Sequence, residues 1–436
     1  MLATSMHDEG SIRGLESRYL PTKGMGHDHA IWESALGARV RDIHGRELID
    51  FTSGVLVTNT GHSHPHVVAA IREQAGRLLN CYDAPHPTRG VVARRLVETA
   101  GPPFEVAALQ TTGAEAIDSA VKAARAFTRR YETISFSGGF HGKTFGALSL
   151  SGMPGTRRGV GPVMPGSIVV PYPTCYRCPV DRTYPECQVA CFDVAEEMID
   201  INSTGQIAAV VVEPYLGAGG AYVPPREFWP RIEDFTREHS ALLILDEVQA
   251  SFGRTGSFFA FQQLGIKPDL LVVAKGMASG LPMSAIISRK EVLNALAPGV
   301  LATTFGGNPL SCAACLATLD VLEKEQLASR AARLGMHALQ RMRPWMTTLP
   351  GVGDVRGIGL SLGIDLVRSR ESRDPDPERA LALLKAANQR GVLVLPPAGS
   401  SGNVVRLAPP LVISEEDLNG GLNRLEEALR DTEKET

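Results

Sequence analysis

The stretch LLVVAKGMASGLP (Leu270–Pro282) ends a strand-like apolar run on one lysine, Lys275, with Gly276 directly after it. Lysine is seldom buried. At the end of a strand it is either a solvated side chain or an amine held in a cleft as a nucleophile. A second run, LLILDEVQ (Leu242–Gln249), places the acids Asp246 and Glu247 at the end of another strand. A third, LQTTGAEAIDSAVKAAR (Leu109–Arg125), passes from a strand through Thr112, Gly113 and Ala114 into a helix. That helix is marked by Ile117, Ala120, Val121, Ala124 and Phe127 at helical spacing. A glycine at such a junction lets free backbone N–H groups point at an anion, and the helix dipole favours a phosphate there.

In open α/β sheets ligands sit at the carboxyl ends of the strands. One sheet edge would then carry a phosphate cup, a buried acid and an amine. That set fits pyridoxal 5'-phosphate. The lysine forms a Schiff base with the aldehyde, the acid pairs with the pyridinium nitrogen so that the ring acts as an electron sink, and the cup holds the phosphate. Taken singly, each feature has a plain structural reading: a strand-end Asp caps a loop, Gly-Ala opens a helix for packing, and a strand-end Lys is solvated. Their occurrence together on neighbouring elements carries the chemical reading.

The elements that must position these residues follow from the rest of the 436-residue chain. Residues 1–30 read as a polar, loosely ordered arm. ARVRDIHGRELIDFTSG (Ala38–Gly54) reads as a hairpin turning at His44-Gly45. From about residue 64 to 310, helical stretches alternate with the apolar runs VAALQTT, ETISFSG, IAAVVVEP, ALLILDEV and LLVVAKG. Runs so continuous in Val, Ile and Leu suit a parallel sheet covered on both faces. Beyond 310 come a long helical stretch to about 345, then DVRGIGLSLGIDLV, another helix, GVLVLPP, NVVRLAPPL and a final amphipathic helix. The expectation is an α/β protein with a large, mainly parallel-sheet domain (63–310) and a smaller α+β domain (311–436), to which an N-terminal arm and hairpin (1–62) contribute.

Apolar residues make up 44% and charged residues 21% of the chain, as in an ordinary globular protein, and the net charge is -3. No basic tract is present, which argues against a nucleic-acid partner. No apolar run reaches the roughly 20 residues of a membrane helix, and no signal peptide is visible. A cytoplasmic location without membrane contact is expected.

From about residue 30 to 430 the chain resembles the class III aminotransferases, the group of the 4-aminobutyrate, ornithine and acetylornithine aminotransferases and 2,2-dialkylglycine decarboxylase. The resemblance rests on IDFTSGVLVTNTGHSHPHVV, TTGAEAIDSAVKAAR, GFHGKTFGALSLSG, VVVEPYLGAGG, LLILDEVQASFGRTGSFFAF, PDLLVVAKGMASGLPMSAII, TTFGGNPLSCAA, DVRGIGLSLGIDL and GNVVRLAPPLVIS, in the family's order. It implies a fold type I architecture, a homodimer with active sites at the subunit interface, and a PLP-dependent aminotransferase moving an amino group from an amino acid or amine to a 2-oxo acid. Residue by residue, Lys275 matches the Schiff-base lysine and Asp246 the pyridinium partner. Val248 packs on one ring face, Phe140 stacks on the other with His141 beside it, and Gln249 reaches the ring hydroxyl. Gly113 and Ala114 match the phosphate cup; many relatives carry Ser at the second position. Thr304 resembles the threonine that reaches the phosphate of the neighbouring subunit. Arg406 resembles the arginine that holds the substrate carboxylate, a task for a rigid bidentate fork.

Three departures bear on the substrate. The glutamate that pairs with this arginine in the 4-aminobutyrate and ornithine type is Ala218 here, which weakens an ω-amino-acid assignment. The family's arginine after HG is Lys143, a point charge in place of a fork. The glutamine after DFTSG and the tryptophan before HG in dialkylglycine decarboxylases are Val55 and Phe140, which disfavours decarboxylation. A PLP-dependent amino-acid racemase or epimerase would use the same Lys275 and Asp246. A cofactor-binding regulator without turnover is opposed by the intact Lys275, Asp246, Gln249 and Arg406.

Four of the seven cysteines, Cys175, Cys178, Cys187 and Cys191, form a C-x2-C-x8-C-x3-C pattern in an insertion at about 174–192. Four thiolates so spaced are candidate ligands for a structural zinc; an iron–sulfur cluster, disulfides and four reduced thiols are the alternatives.

Overall fold

A computed structural model describes residues 8–21 and 30–433. The hairpin expected at 38–54 is present as Arg39–Asp42 paired antiparallel with Glu47–Asp50. Trp32–Leu36 extends it on one side. On the other, Val392–Leu393 pairs in parallel with Glu47–Asp50 and so ties the C-terminal part of the chain to its N-terminal part.

The central sheet has seven strands: β1 (Val106–Gln110), β2 (Glu132–Phe136), β3 (Ser167–Val170), β4 (Ile207–Val212), β5 (Leu242–Asp246), β6 (Leu270–Val273) and β7 (Ser284–Ser288), in the spatial order β1-β7-β6-β5-β4-β2-β3. Pairing is parallel from β3 through to β6. Only β7 runs against its neighbours β6 and β1. The strands β4, β5 and β6 are buried along their whole length, as their unbroken Val/Ile/Leu/Ala runs require. Two sheet members lie outside the five apolar runs, β3 and β7. Both begin on serine and carry only three apolar residues in a row, so no long apolar stretch announces them.

The helix Gly113–Thr128 lays Ile117, Ala120, Val121 and Ala124 against Val211, Ile244, Val272 and Ile286 of the sheet. Phe127 shares their spacing but remains exposed. A second sheet, β8 (Val352–Ile358), β9 (Ser361–Leu366) and β10 (Val404–Leu407), is antiparallel and ordered β8-β9-β10. The helical stretch after 310 is two helices, Pro309–Lys324 and Leu327–Met342, parted where Gln326 takes a left-handed φ of 50°.

The arm expected at 1–30 differs from expectation. Residues 1–7 and 22–29 lie outside the described residues, but Glu9–Tyr19 is helical. Asp8 caps it by accepting from the Ser11 N–H at 2.9 Å, and Arg13 pairs with Glu9 one turn away. None of its residues is buried, which is why the apolar pattern does not reveal it. Among the described residues no helix is long and apolar enough to cross a membrane.

Candidate active site

The carboxyl ends of β1, β2, β4, β5 and β6 open on a cavity of about 420 Å³. Thr111–Ala114 line it after β1, Phe140–Gly142 after β2, Glu213 after β4, and Lys275 after β6. The last residue of β5, Asp246, lies in its wall with Val248 and Gln249. Parallel pairing of β4, β5 and β6 brings these ends to one edge.

Asp246 is almost fully buried, and its two oxygens have separate partners. Oδ2 accepts from the His141 ring Nδ1 at 2.7 Å, and Oδ1 accepts from the Val248 N–H at 3.0 Å. Burial pulls the His141 pKa down, but the hydrogen bond and charge of Asp246, helped by Glu213, outweigh it and leave that pKa raised. Lys275 has a left-handed φ of 43°, an uncommon conformation for a side-chain-bearing residue, held here by the tight turn Lys275–Met277. Burial is the main cause that lowers its pKa to about 8; Arg406 adds to this, while Asp246 and Glu213 oppose it. An amine so placed is neutral often enough near pH 7.5 to act as nucleophile or base.

Residues of the cavity fit a flat, anionic, phosphorylated cofactor. The first N–H groups of the helix Gly113–Thr128 have no intrahelical acceptor, and Thr112 and Glu115 close a capping box that leaves those of Gly113 and Ala114 facing outward. Gly142 is needed beside them. With φ at 138°, a Cβ at this position would stand 2.5 Å from the Ala114 Cβ. Phe140 and Val248 both supply apolar walls to the cavity, and Asp246 and Lys275 stand with them.

Arg406 lies beside this cavity on β10, set by the pairing of β9 with β10. Its Nη1 donates to the Gly217 carbonyl at 3.3 Å and to the Gln249 Oε1 at 3.4 Å. Its Nε is buried and has no hydrogen-bond partner among the described residues. Both acceptors are neutral, and the residue at position 218 is an alanine, which offers this cation no carboxylate.

Besides Arg406, three further residues singled out in the sequence, Lys143, Thr304 and Val55, do not line the cavity. Lys143 and Thr304 are exposed, and the Thr304 carbonyl accepts from Asn80 Nδ2 at 3.0 Å. Val55 is also exposed. Ser53, Gly54, Val55 and Leu56 all take positive φ, a left-handed turn that carries Val55 outward, and Val57 lines the cavity in its place. Sequence reasoning missed Glu213, although VVVEP carries the same strand-end acid signal as LLILDEV. Glu247, by contrast, faces away. Its oxygens accept the N–H groups of Ala260 and Phe261, both at 2.7 Å, and burial pushes its pKa up to about 8.

The zinc expectation is not met. Among the described residues no three His, Cys, Asp or Glu side chains form a group that could hold a metal. Cys175, Cys178, Cys187 and Cys191 are free thiols that share the rim of one narrow cleft with Tyr184 and Pro173. They differ in burial from exposed Cys175 to buried Cys191. Burial first, then the neighbouring thiols, pushes Cys191 up to about 12.

Comparison with known proteins places these features in context. Residues 22–429 match the family model described as aminotransferase class-III. The chain is 38% identical over 401 residues to a probable 4-aminobutyrate aminotransferase of Bacillus subtilis, covering 90% of this chain and 91% of that protein. It is 37% identical over 404 residues to a leucine/methionine racemase of Thermococcus litoralis, covering 92% and 90%. Among solved structures, a PLP-bound amine transaminase from an uncultivated Pseudomonas species superposes with a TM-score of 0.88 at 30% identity, covering 95% of this chain and 98% of that one.

Proposed function

The chain belongs to the class III aminotransferases, PLP-dependent enzymes of fold type I, and from that premise we propose a role for each residue of its cavity. The observation that carries the proposal is the meeting of Lys275, Asp246 and a free helix N-terminus in one cavity. Lys275 holds the cofactor through its aldehyde carbon, and Gly113 and Ala114 receive the phosphate. Phe140 and Val248 enclose the ring, Gln249 serves its hydroxyl, and Asp246, steadied by His141, serves its nitrogen. Bound there, the cofactor supplies an electron sink for negative charge on the donor carbon.

Lys275, its amine free beside the bound donor, would take the proton from that carbon and pass it to the cofactor's carbon, which moves the amino group; its lowered pKa suits both transfers. Arg406 binds the donor's carboxylate. With no acidic partner to turn to, it stays available for that carboxylate in both halves of the reaction, which favours α-amino acids as donors and 2-oxo acids as acceptors. Phe140, Val57 and Val248 keep water from the reacting carbon. We infer that the enzyme works in the cytoplasm as a homodimer. Exposed Thr304 then serves the phosphate of the partner subunit's cofactor, and exposed Lys143 stands at the mouth.

A second reading, racemase or epimerase, is favoured by the likeness to the leucine/methionine racemase and by the same unpaired Arg406. The test follows the visible absorbance of the holoenzyme while single amino donors, including L-leucine, L-alanine and 4-aminobutyrate, are added in heavy water without an acceptor. Bleaching with release of a 2-oxo acid from an α-amino acid, or of 4-oxobutanoate from 4-aminobutyrate, supports the aminotransferase. Persistent absorbance with deuterium entering the α-position means racemisation. No response to any donor overturns both.

A further inference from the structure

Glu213 is a buried acid that none of the roles above employs. It follows β4 directly, is 3% exposed, and stands in the cavity wall. Its two oxygens are divided between two loops. Oε1 accepts the Phe140 N–H at 2.8 Å, and Oε2 accepts the Gly217 N–H at 3.0 Å. Phe140 is a wall of the cofactor cavity, and Gly217 is the residue whose carbonyl accepts from Arg406. Gly217 packs closely on Gln249: a Cβ there would stand 2.7 Å from the Gln249 side-chain amide, so no side chain fits at this position. One carboxylate thus joins the loop after β2 to the loop after β4, on the path from the ring site to the arginine.

We propose that Glu213 is a positioning residue whose ionised carboxylate clamps the backbones of Phe140 and Gly217, and so sets Arg406 against the cofactor. The proposal rests on the functional reading above for what Arg406 binds. Its chemistry is that of an acceptor pair. The carboxylate accepts from both N–H groups at full strength; protonation turns one oxygen into a hydroxyl, a weaker acceptor that carries a hydrogen of its own. The clamp is therefore a device of the charged form, and protonation opens it.

The groups that bias this proton are His141 and Asp246 across the cavity floor, Lys275, Arg406, and the buried phenols Tyr172 and Tyr215. Tyr172 also donates to the Glu213 backbone carbonyl at 3.3 Å. Burial is the largest influence and pushes the Glu213 pKa up to about 7; the His141 charge opposes it and Asp246 reinforces it. The clamp is then closed above neutral pH and opens below.

The test is calorimetric binding of 4-methylpentanoate, a carboxylate without a reactive amine, to the holoenzyme from pH 5.5 to 8.5. Wild type is expected to bind most tightly above pH 7 and to lose affinity as the pH falls through about 7. Binding is lost in Arg406→Met. Glu213→Gln keeps the volume but can accept only one of the two N–H groups, and its Kd at pH 8 should rise at least tenfold with no inflection near neutrality. The visible absorbance of the bound cofactor should persist in that variant. Unchanged affinity in Glu213→Gln, or a wild-type affinity flat across pH 7, overturns the proposal. Calorimetry reads carboxylate binding with or without cofactor. A wild-type protein that lacks cofactor absorbance would therefore overturn the functional reading while the Glu213 result stayed interpretable.

Discussion

Stripping the cofactor and titrating Lys275 directly probes the electrostatics on which the chemistry depends. Its surroundings depress its pKa from 10.5 to about 8, with burial the main cause. Holding the ammonium there costs about 3 kcal/mol relative to water, at 1.36 kcal/mol per pH unit. At pH 7.5 roughly a quarter of Lys275 is then neutral, against about 0.1% of an ordinary lysine, a difference of more than 200-fold in reactive amine. Trace labelling of the cofactor-free protein with acetic anhydride from pH 6 to 11, read by peptide mapping, gives each lysine its own titration curve. Lys275 should show half-maximal reactivity near pH 8. Asp246→Asn removes an anion that raises the value, so the midpoint should move lower. Arg406→Met removes a cation that lowers it, so the midpoint should move higher. A Lys275 midpoint near the ordinary 10.5, or an Asp246→Asn midpoint that moves up, refutes the reasoning.

Gly142→Ala forces a Cβ to 2.5 Å from the Ala114 Cβ at a φ of 138°. It should lower the unfolding free energy in urea by about 2–4 kcal/mol and weaken cofactor binding tenfold or more; wild-type values for both would contradict the packing account. Glu213 and Glu247 both have pKa values raised by burial, to about 7 and about 8. Between pH 4.5 and 8 the folded protein therefore binds more protons than the unfolded chain, and stability should fall as pH rises across that window. A drop of about 2–4 kcal/mol from pH 6 to pH 8 is expected in urea titrations, and a rise would reverse the assignment. Iodoacetamide should modify exposed Cys175 first, whereas buried Cys191, Cys312 and Cys315 should react only after denaturation; mass mapping with early Cys191 labelling would contradict the burial.

Much of the architecture was legible because of burial. Strands β4, β5 and β6 are covered on both faces, so they must be apolar throughout, and the polar residue that ends each run, Glu213, Asp246 or Lys275, marks the point where the chain leaves the core. The antiparallel β7 and the edge strand β3 carried no such mark. The helix Glu9–Tyr19 buries nothing and so has no apolar stripe to detect. The outward course of Val55 depends on four consecutive left-handed residues, of which only Gly54 is of a type that signals one. Arg406 stood out only by resemblance, since its place beside Gln249 depends on the pairing of β9 with β10, distant in sequence from β5. Cysteine spacing was compatible with a metal, but whether the thiols converge on one point is a property of the packed cleft, and among the described residues they form no such group.

The central claim is that Lys275 carries the cofactor, and borohydride reduction of the holoenzyme followed by peptide mapping tests it most directly. The account predicts one stable pyridoxyl label per chain, on the peptide containing Lys275, and none in Lys275→Ala. A label on another lysine, or a Lys275→Ala protein that still retains it, would contradict the account.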